Sequence, residues 1–187
     1  MKTLWSTIFA IVASAVLASP ATAQIQSWDK QLGGTRFKVL RQFNDEAVLD
    51  QETGLVWERQ PSTVKARWSP YGFDQFPATA HIQCDVKVVG KRLGWRLPTI
   101  QELASLADPA QSRPPLPGGH PFSLTPDQNI GQFWSATTSA TDPLTSPNSA
   151  WTLDFYSVSV SEGVVYTTKS IANYYWCVRS GSGVELQ

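Results

Sequence analysis

The order of apolar and polar positions along the chain divides it into three kinds of segment. TRFKVL alternates polar and apolar residues, as a half-buried strand does. In AVLDQETGLVWER two short apolar runs flank Asp50-Gln51-Glu52-Thr53-Gly54. Gly54 can take a positive φ, so this stretch predicts a β-hairpin. From about Ala78 to Val89, Ala80, Cys84 and Val88 recur at four-residue spacing and predict a helix with one apolar face. A second helix is predicted behind Thr99. Glu102 follows three residues later, then Leu103, Leu106 and Ala107. The pattern is a capping box with an amphipathic helix behind it, and Asp108-Pro109 is its expected stop. Pro98 biases Leu97 toward an extended conformation, so Trp95-Arg96-Leu97 reads as a short extended approach to that helix. The C-terminal part is β in pattern. AWTLDFYSV and SVSEGVVYTT flank a turn at Ser161-Glu162-Gly163, and NYYWCVRSG reads as the last strand of a meander. Hairpin, two helices, loops and meander make an α+β order.

Between these elements lie stretches without periodicity. QSRPPLPGGHPF cannot hold a regular element, and TTSATDPLTSPNS is small, polar and punctuated by proline. Long loops in a compact domain are uncommon unless they carry something. A third loop runs from Pro61 to Pro77 and contains ARWSPYGF.

The first residues change the picture. Lys2 precedes an apolar run from Leu4 to about Leu17, and Ala21-Thr22-Ala23 offers small residues at a cleavage site. The expectation is a secretory signal peptide over 1–23, cut before Gln24. The apolar run is shorter than a membrane-spanning helix, so no membrane insertion is expected after cleavage. Residues 24–42 then form a lead-in or strand, 43–181 the domain and 182–187 a tail. The chain has 15 basic and 15 acidic residues. With Lys2 removed the net charge is about −1, so no basic field exists to hold nucleic acid. Only Cys84 and Cys177 occur. In an exported chain an even pair reads first as a disulfide, which would close a loop of about 94 residues for about 4 to 5 kcal/mol. A metal pair and a catalytic thiol are the alternatives, and neither has a histidine near it in sequence.

DQETGLVWER, a cysteine-bearing helix, GWRLPTIQEL, FWSATTS, AWTLDF and CVRSG follow one another in order. Together they resemble the bacterial Lcl C-terminal domain family, over roughly Phe43 to Gly181. That family is similar to the C-type-lectin-like and sulfatase-modifying-factor folds. The resemblance implies a C-type-lectin-like α+β domain: two helices, antiparallel sheets, long irregular loops, and N- and C-terminal strands side by side. It implies that Trp95, Arg96, Leu97, Pro98, Thr99 and Glu102 are framework. It also implies a bridge from the first helix to a late strand, and Cys84 and Cys177 fall at matching places. Sugar-binding lectins of the wider fold hold Ca²⁺ through a Glu-Pro-Asn loop and a Trp-Asn-Asp strand. This chain has Ser146-Pro147-Asn148 and Trp151-Thr152-Leu153-Asp154, so no metal is expected. The formylglycine-generating relatives need a cooperating thiol pair, whereas both thiols here sit where a bridge is expected.

Catalytic constellations are lacking. His81 reads as a solvated helix histidine and His120 as a loop residue. No Gly-x-Ser-x-Gly elbow and no two-histidine metal motif occurs. Asp45, Glu46 and Asp50 read as turn and rim residues of the hairpin. No catalytic residue and no cofactor is therefore expected. Of the tryptophans beyond Trp5 and Trp28, Trp57, Trp134, Trp151 and Trp176 lie in strand-like patterns and are expected in the core. Trp68 stands in the Pro- and Arg-flanked loop and is the expected exposed aromatic. The predicted ligand contacts are Lys65, Arg67, Trp68, Tyr71, Thr137, Thr138, Asp142 and Asn148, on loops that would meet a glycan or an envelope protein. A structural envelope protein without a small ligand is the competing reading. The oligomeric state is not encoded in any pattern found.

Overall fold

In the computed structural model, which describes residues 35–68, 79–140, 148–156 and 163–181, the predicted hairpin is present. Its strands are β2 (Ala47–Asp50) and β3 (Leu55–Glu58), with Val48 opposite Trp57. Gly54 takes φ +71 and its N–H donates to the Asp50 carbonyl at 2.8 Å. β1 (Phe37–Val39) adds to β2, and β9 (Val178–Ser180) adds to β3. The result is an antiparallel sheet of order β1-β2-β3-β9. It places an N-terminal hairpin strand beside the C-terminal one, while β1 lies at the opposite edge.

The second sheet has the order β4-β8-β5-β6-β7. Its strands are β4 (Ala66–Arg67), β5 (Gln132–Thr138), β6 (Ser149–Asp154), β7 (Val164–Thr168) and β8 (Ala172–Tyr175). β6 and β7 are antiparallel neighbours, as expected. The rest of the meander is different. β8 leaves β7, inserts between β4 and β5, and runs parallel to β5. The stretch NYYWCVRSG is not one strand but β8 and β9, in two different sheets. The break falls at Trp176-Cys177. The Trp176 indole donates to the Glu58 carbonyl (2.8 Å) and the Cys177 N–H to the Glu58 carboxylate (2.8 Å), which draws the chain from one sheet to the other.

Both helices are short. α1 spans Ala80–Asp85, capped by Thr79, whose hydroxyl accepts from Ile82 N. Ala80 and Cys84 are buried as predicted, but Val88 lies beyond the helix and is exposed. The valine-rich run that follows α1 favours extended backbone, and it closes in a turn where Val89 bridges to Arg92. Gly90 sits in that turn at φ +56. A Cβ there would lie 2.4 Å from Phe43 Cα, so only glycine fits. α2 spans Ile100–Ser105 with the predicted capping box complete.

The second sheet is packed on both faces. Trp134 and Ala150 join Phe43, Cys84, Trp95 and Tyr175 on one side. Phe133 and Leu153 join Trp57, Leu103, Phe155 and Trp176 on the other. The large apolar side chains among them, such as Phe133 and Leu153, each contribute about 1.5 to 3 kcal/mol through burial. Cys84 and Cys177 are bridged, with Cα atoms 5.4 Å apart, tying α1 to the start of β9. Among the described residues no helix is long and apolar enough to cross a membrane. The expected signal peptide over 1–23, Trp28, Tyr71, Asp142, the 182–187 tail and most of the Ser161–Gly163 turn lie outside the described residues.

Candidate functional site

The run Gly94 to Glu102 is built as framework. Trp95 is 2% exposed; its indole donates to the Arg92 carbonyl and its ring meets Phe43 edge-on at 6.3 Å. Arg96 exchanges both backbone hydrogen bonds with Val178 of β9. Its guanidinium does not stack on the adjacent tryptophan; it forks onto Glu102 at 2.8 and 2.6 Å. Glu102 Oε2 accepts from Thr99 N (2.8 Å), and Thr99 Oγ1 accepts from Glu102 N (3.2 Å). Partial burial pushes the Glu102 carboxyl up, but the Arg96 fork and the Thr99 bonds outweigh it and hold it below the usual carboxylate range. Thr137, predicted as a ligand contact, is spent here: its hydroxyl accepts from Ile100 N at 3.0 Å.

Three other predicted contacts come together at one end of the second sheet. Strand order brings there the end of β4, the end of β5, the start of β6 and the β7–β8 turn. The turn supplies Lys169, which the sequence reading missed. Lys169 Nζ lies 4.0 Å from the Trp68 ring centroid and donates to Thr138 Oγ1 at 3.0 Å. Its backbone N–H donates to the Asn148 carbonyl (2.7 Å), and its carbonyl accepts from Trp68 N (3.0 Å). Thr138 and Asn148 are exposed. Trp68 is half-buried rather than exposed, because its indole donates to the Ser135 carbonyl at 2.6 Å and the ring packs against the first hydrophobic cluster. His81 is the second missed member. It is not a solvated helix histidine: its ring stands edge-on to Trp68 at 4.5 Å and its Nε2 is buried without a partner. Burial lowers the His81 pKa, and the Lys169 charge adds to that, against Asp85, which raises it. Partial burial pushes the Lys169 amine down. Neither residue carried a sequence signal, since only the crossing of β8 brings the turn beside Trp68.

Lys65 is placed elsewhere, with Nζ over the Tyr174 ring at 4.9 Å, and Arg67 is exposed on β4. Trp151, expected in the core, is half-buried on β6, whereas Trp57, Trp134 and Trp176 are fully buried. Trp151 pairs with Tyr166 of β7, the edge strand of the sheet, and its ring meets that tyrosine edge-on.

An open cleft of about 650 Å³ lies at the far end of the hairpin, between Asp45, Glu46, Gln60, Lys87 and Ser123. Glu58 forms its floor at 2% exposure. Burial raises the Glu58 pKa, against the opposing pull of Lys87 and the Cys177 N–H. One carboxylate oxygen meets Lys87 Nζ at 2.5 Å and the other the Cys177 N–H, so the group serves as a tether between α1, β3 and β9. Asp50 is not a rim residue either. It is fully buried and held by the Arg36 guanidinium at 3.0 and 2.7 Å. Among the described residues no cluster of three or more His, Cys, Asp or Glu is arranged to hold a metal.

The model of the Lcl C-terminal domain matches residues 46–179 of this chain. Neither the curated proteins nor the solved structures contain a match.

Proposed function

The chain belongs to the Lcl C-terminal domain family, and from that premise we propose that it is an exported, non-catalytic recognition domain that binds a glycan or a protein through its loops. The observation that carries the reading is the meeting of Trp68, Thr138 and Asn148 around Lys169. These residues come from separate segments, and two of them present open polar groups beside a cation and an aromatic ring. Polar loops on a rigid β scaffold are a usual seat of recognition. Export is supported by the leader pattern and by the Cys84–Cys177 bridge, which belongs to oxidising compartments. The two-sheet, two-helix arrangement is compatible with the C-type-lectin-like expectation. Catalysis is left out of the reading because the buried carboxylates, Asp50 and Glu58, are engaged in structural bonds.

One observation favours the competing reading, a structural envelope protein without a small ligand. The Trp68 N–H and ring are already engaged by Ser135, His81 and Lys169. The experiment that separates the two is a binding screen of the purified protein against glycans and envelope polymers, with and without calcium. Recognition predicts a ligand whose affinity drops about tenfold or more in a Thr138→Ala, Lys169→Ala double variant of unchanged melting temperature. Binding that survives the double variant moves the site elsewhere, and no ligand in the screen leaves the structural reading ahead.

A further inference from the structure

The strand at the edge of an open sheet presents backbone N–H and C=O groups with no neighbour to pair with. Among the described residues the sheets end in β1, β9, β4 and β7, and the first three of these edges are blunted. β1 is short and carries the exposed Lys38 at its centre. β4 is shorter still and ends in the exposed Arg67. β9 is covered on its outer side, where Val178 exchanges both backbone hydrogen bonds with Arg96. β7 is the exception. It reads Val164-Val165-Tyr166-Thr167-Thr168, with no charge, proline or glycine, and its register against β6 is unbroken.

Alternation settles which groups of β7 are open. In an antiparallel pair successive residues turn their backbone groups to opposite sides. The Lys169 N–H reaches the Asn148 carbonyl, one step beyond the Ser149–Thr168 pair. Val165 and Thr167 therefore face β6, and Val164, Tyr166 and Thr168 face outward. The Thr168 carbonyl is taken by the Ile171 N–H at 2.9 Å. The N–H and C=O of Val164 and Tyr166 and the N–H of Thr168 have no partner among the described residues. Tyr166 is 47% exposed, and Thr168 is exposed too. Val164 packs against the second hydrophobic cluster and anchors the start of the strand.

The open groups are backbone groups in extended geometry, so another extended backbone fits them. The residues of the edge indicate whose. Antiparallel pairing of β7 with its own copy about Tyr166 sets Tyr166 opposite Tyr166 and Thr168 opposite Val164. The two tyrosines then exchange both backbone bonds, and each Thr168 N–H meets a Val164 carbonyl, about four ladder bonds in all. Aromatic rings directly opposite one another are a favourable cross-strand pair, and no like charges meet. The chain as a whole has 15 basic and 15 acidic residues, so no net charge drives two copies apart.

We infer that β7 is the contact of a two-fold homodimer, in which the five-stranded sheets of two copies join edge to edge. Such a contact is self-complementary and closed, so it leaves no β7 edge for a third copy. The dimer follows from the edge geometry and does not depend on the recognition reading above. Where both hold, the two Lys169 groups stand about 20 Å apart along the paired strands. Two recognition ends at that spacing engage one polymeric ligand together.

Sedimentation velocity of the purified protein, from about 1 to 200 μM, should show twice the chain mass at the upper end. Tyr166→Lys and Tyr166→Glu each set like charges opposite one another across the two-fold axis, and each should weaken self-association about tenfold or more. An equimolar mixture of the two variants should restore the dimer, because unlike charges then meet. A merely structural role of Tyr166 gives no such recovery. Hydrogen exchange needs no variant: the Val164, Tyr166 and Thr168 amides should be protected at high protein concentration and exposed on dilution, while Val165 and Thr167 stay protected throughout. A native chain that is monomeric at every concentration, with those three amides exchanging freely, overturns the inference and leaves the edge to a strand of a different protein. A mass of three or more chains, a dimer that both charged variants leave intact, or a mixture of variants that stays monomeric overturns it as well.

Discussion

Thr99, Glu102 and Arg96 form a closed set of bonds in which each residue satisfies another. Thr99→Ala should therefore cost about 0.5 to 2 kcal/mol in a denaturant titration and leave ligand binding unchanged. Lost binding at full stability would contradict the framework role. Glu102 has a lowered pKa, so its contribution is present above about 4.3 and is lost as pH falls through its folded value. His81 carries the opposite charge type with the same acid sensitivity. Its folded pKa is lowered, so its share of stability is present above about 6.5 and is lost as pH falls through the folded value. The melting temperature should drop between about pH 7.5 and 5, and His81→Gln should flatten that drop. A slope unchanged in the variant would remove His81 from the account. The capping box was legible because its donors and acceptors lie three residues apart. The seat of His81 was not, because Trp68 reaches it only through tertiary packing. Trp151 was misplaced for a related reason: a strand pattern tells which residues share a face, but not that β6 lies beside the edge strand β7.

At the scale of elements, α1 is held to the first sheet by covalent and ionic links side by side. The disulfide joins it to β9, and Lys87, just beyond its end, reaches Glu58 on β3. Lys87→Met would leave the Glu58 carboxylate buried without its counter-ion and should cost about 1 to 3 kcal/mol near pH 7. The sign with pH follows from the raised pKa of Glu58. Its favourable share is full below about 4.3 and is lost as pH rises through the folded value. The penalty of Lys87→Met should therefore shrink on acidification, as read from denaturant midpoints at several pH values. A penalty that grows on acidification would contradict the tether. Replacing both cysteines by alanine should cost on the order of 2 to 5 kcal/mol. The hairpin and α2 were readable from turn and cap residues. The splitting of the last strand was not, since NYYWCVRSG has one continuous apolar pattern and the break at Trp176-Cys177 depends on Glu58, 118 and 119 residues away.

Across the whole molecule, the crossing of β8 between β4 and β5 decides where the loops meet. It brings the β7–β8 turn beside Trp68 and puts Lys169 between side chains that the sequence could only name one by one. Thr137 was named for the same loop and proved to cap α2, whereas Thr138, its neighbour, faces Lys169. Adjacent strand residues point to opposite faces, so one of the pair was bound to be framework. The central claim is that this end of the sheet recognises a ligand. Its most direct test is the affinity of the best ligand from the glycan and envelope-polymer screen, measured calorimetrically for the native chain and for the Thr138→Ala, Lys169→Ala double variant. The account predicts a loss of about tenfold or more at an unchanged melting temperature; equal affinities in the two proteins would contradict it.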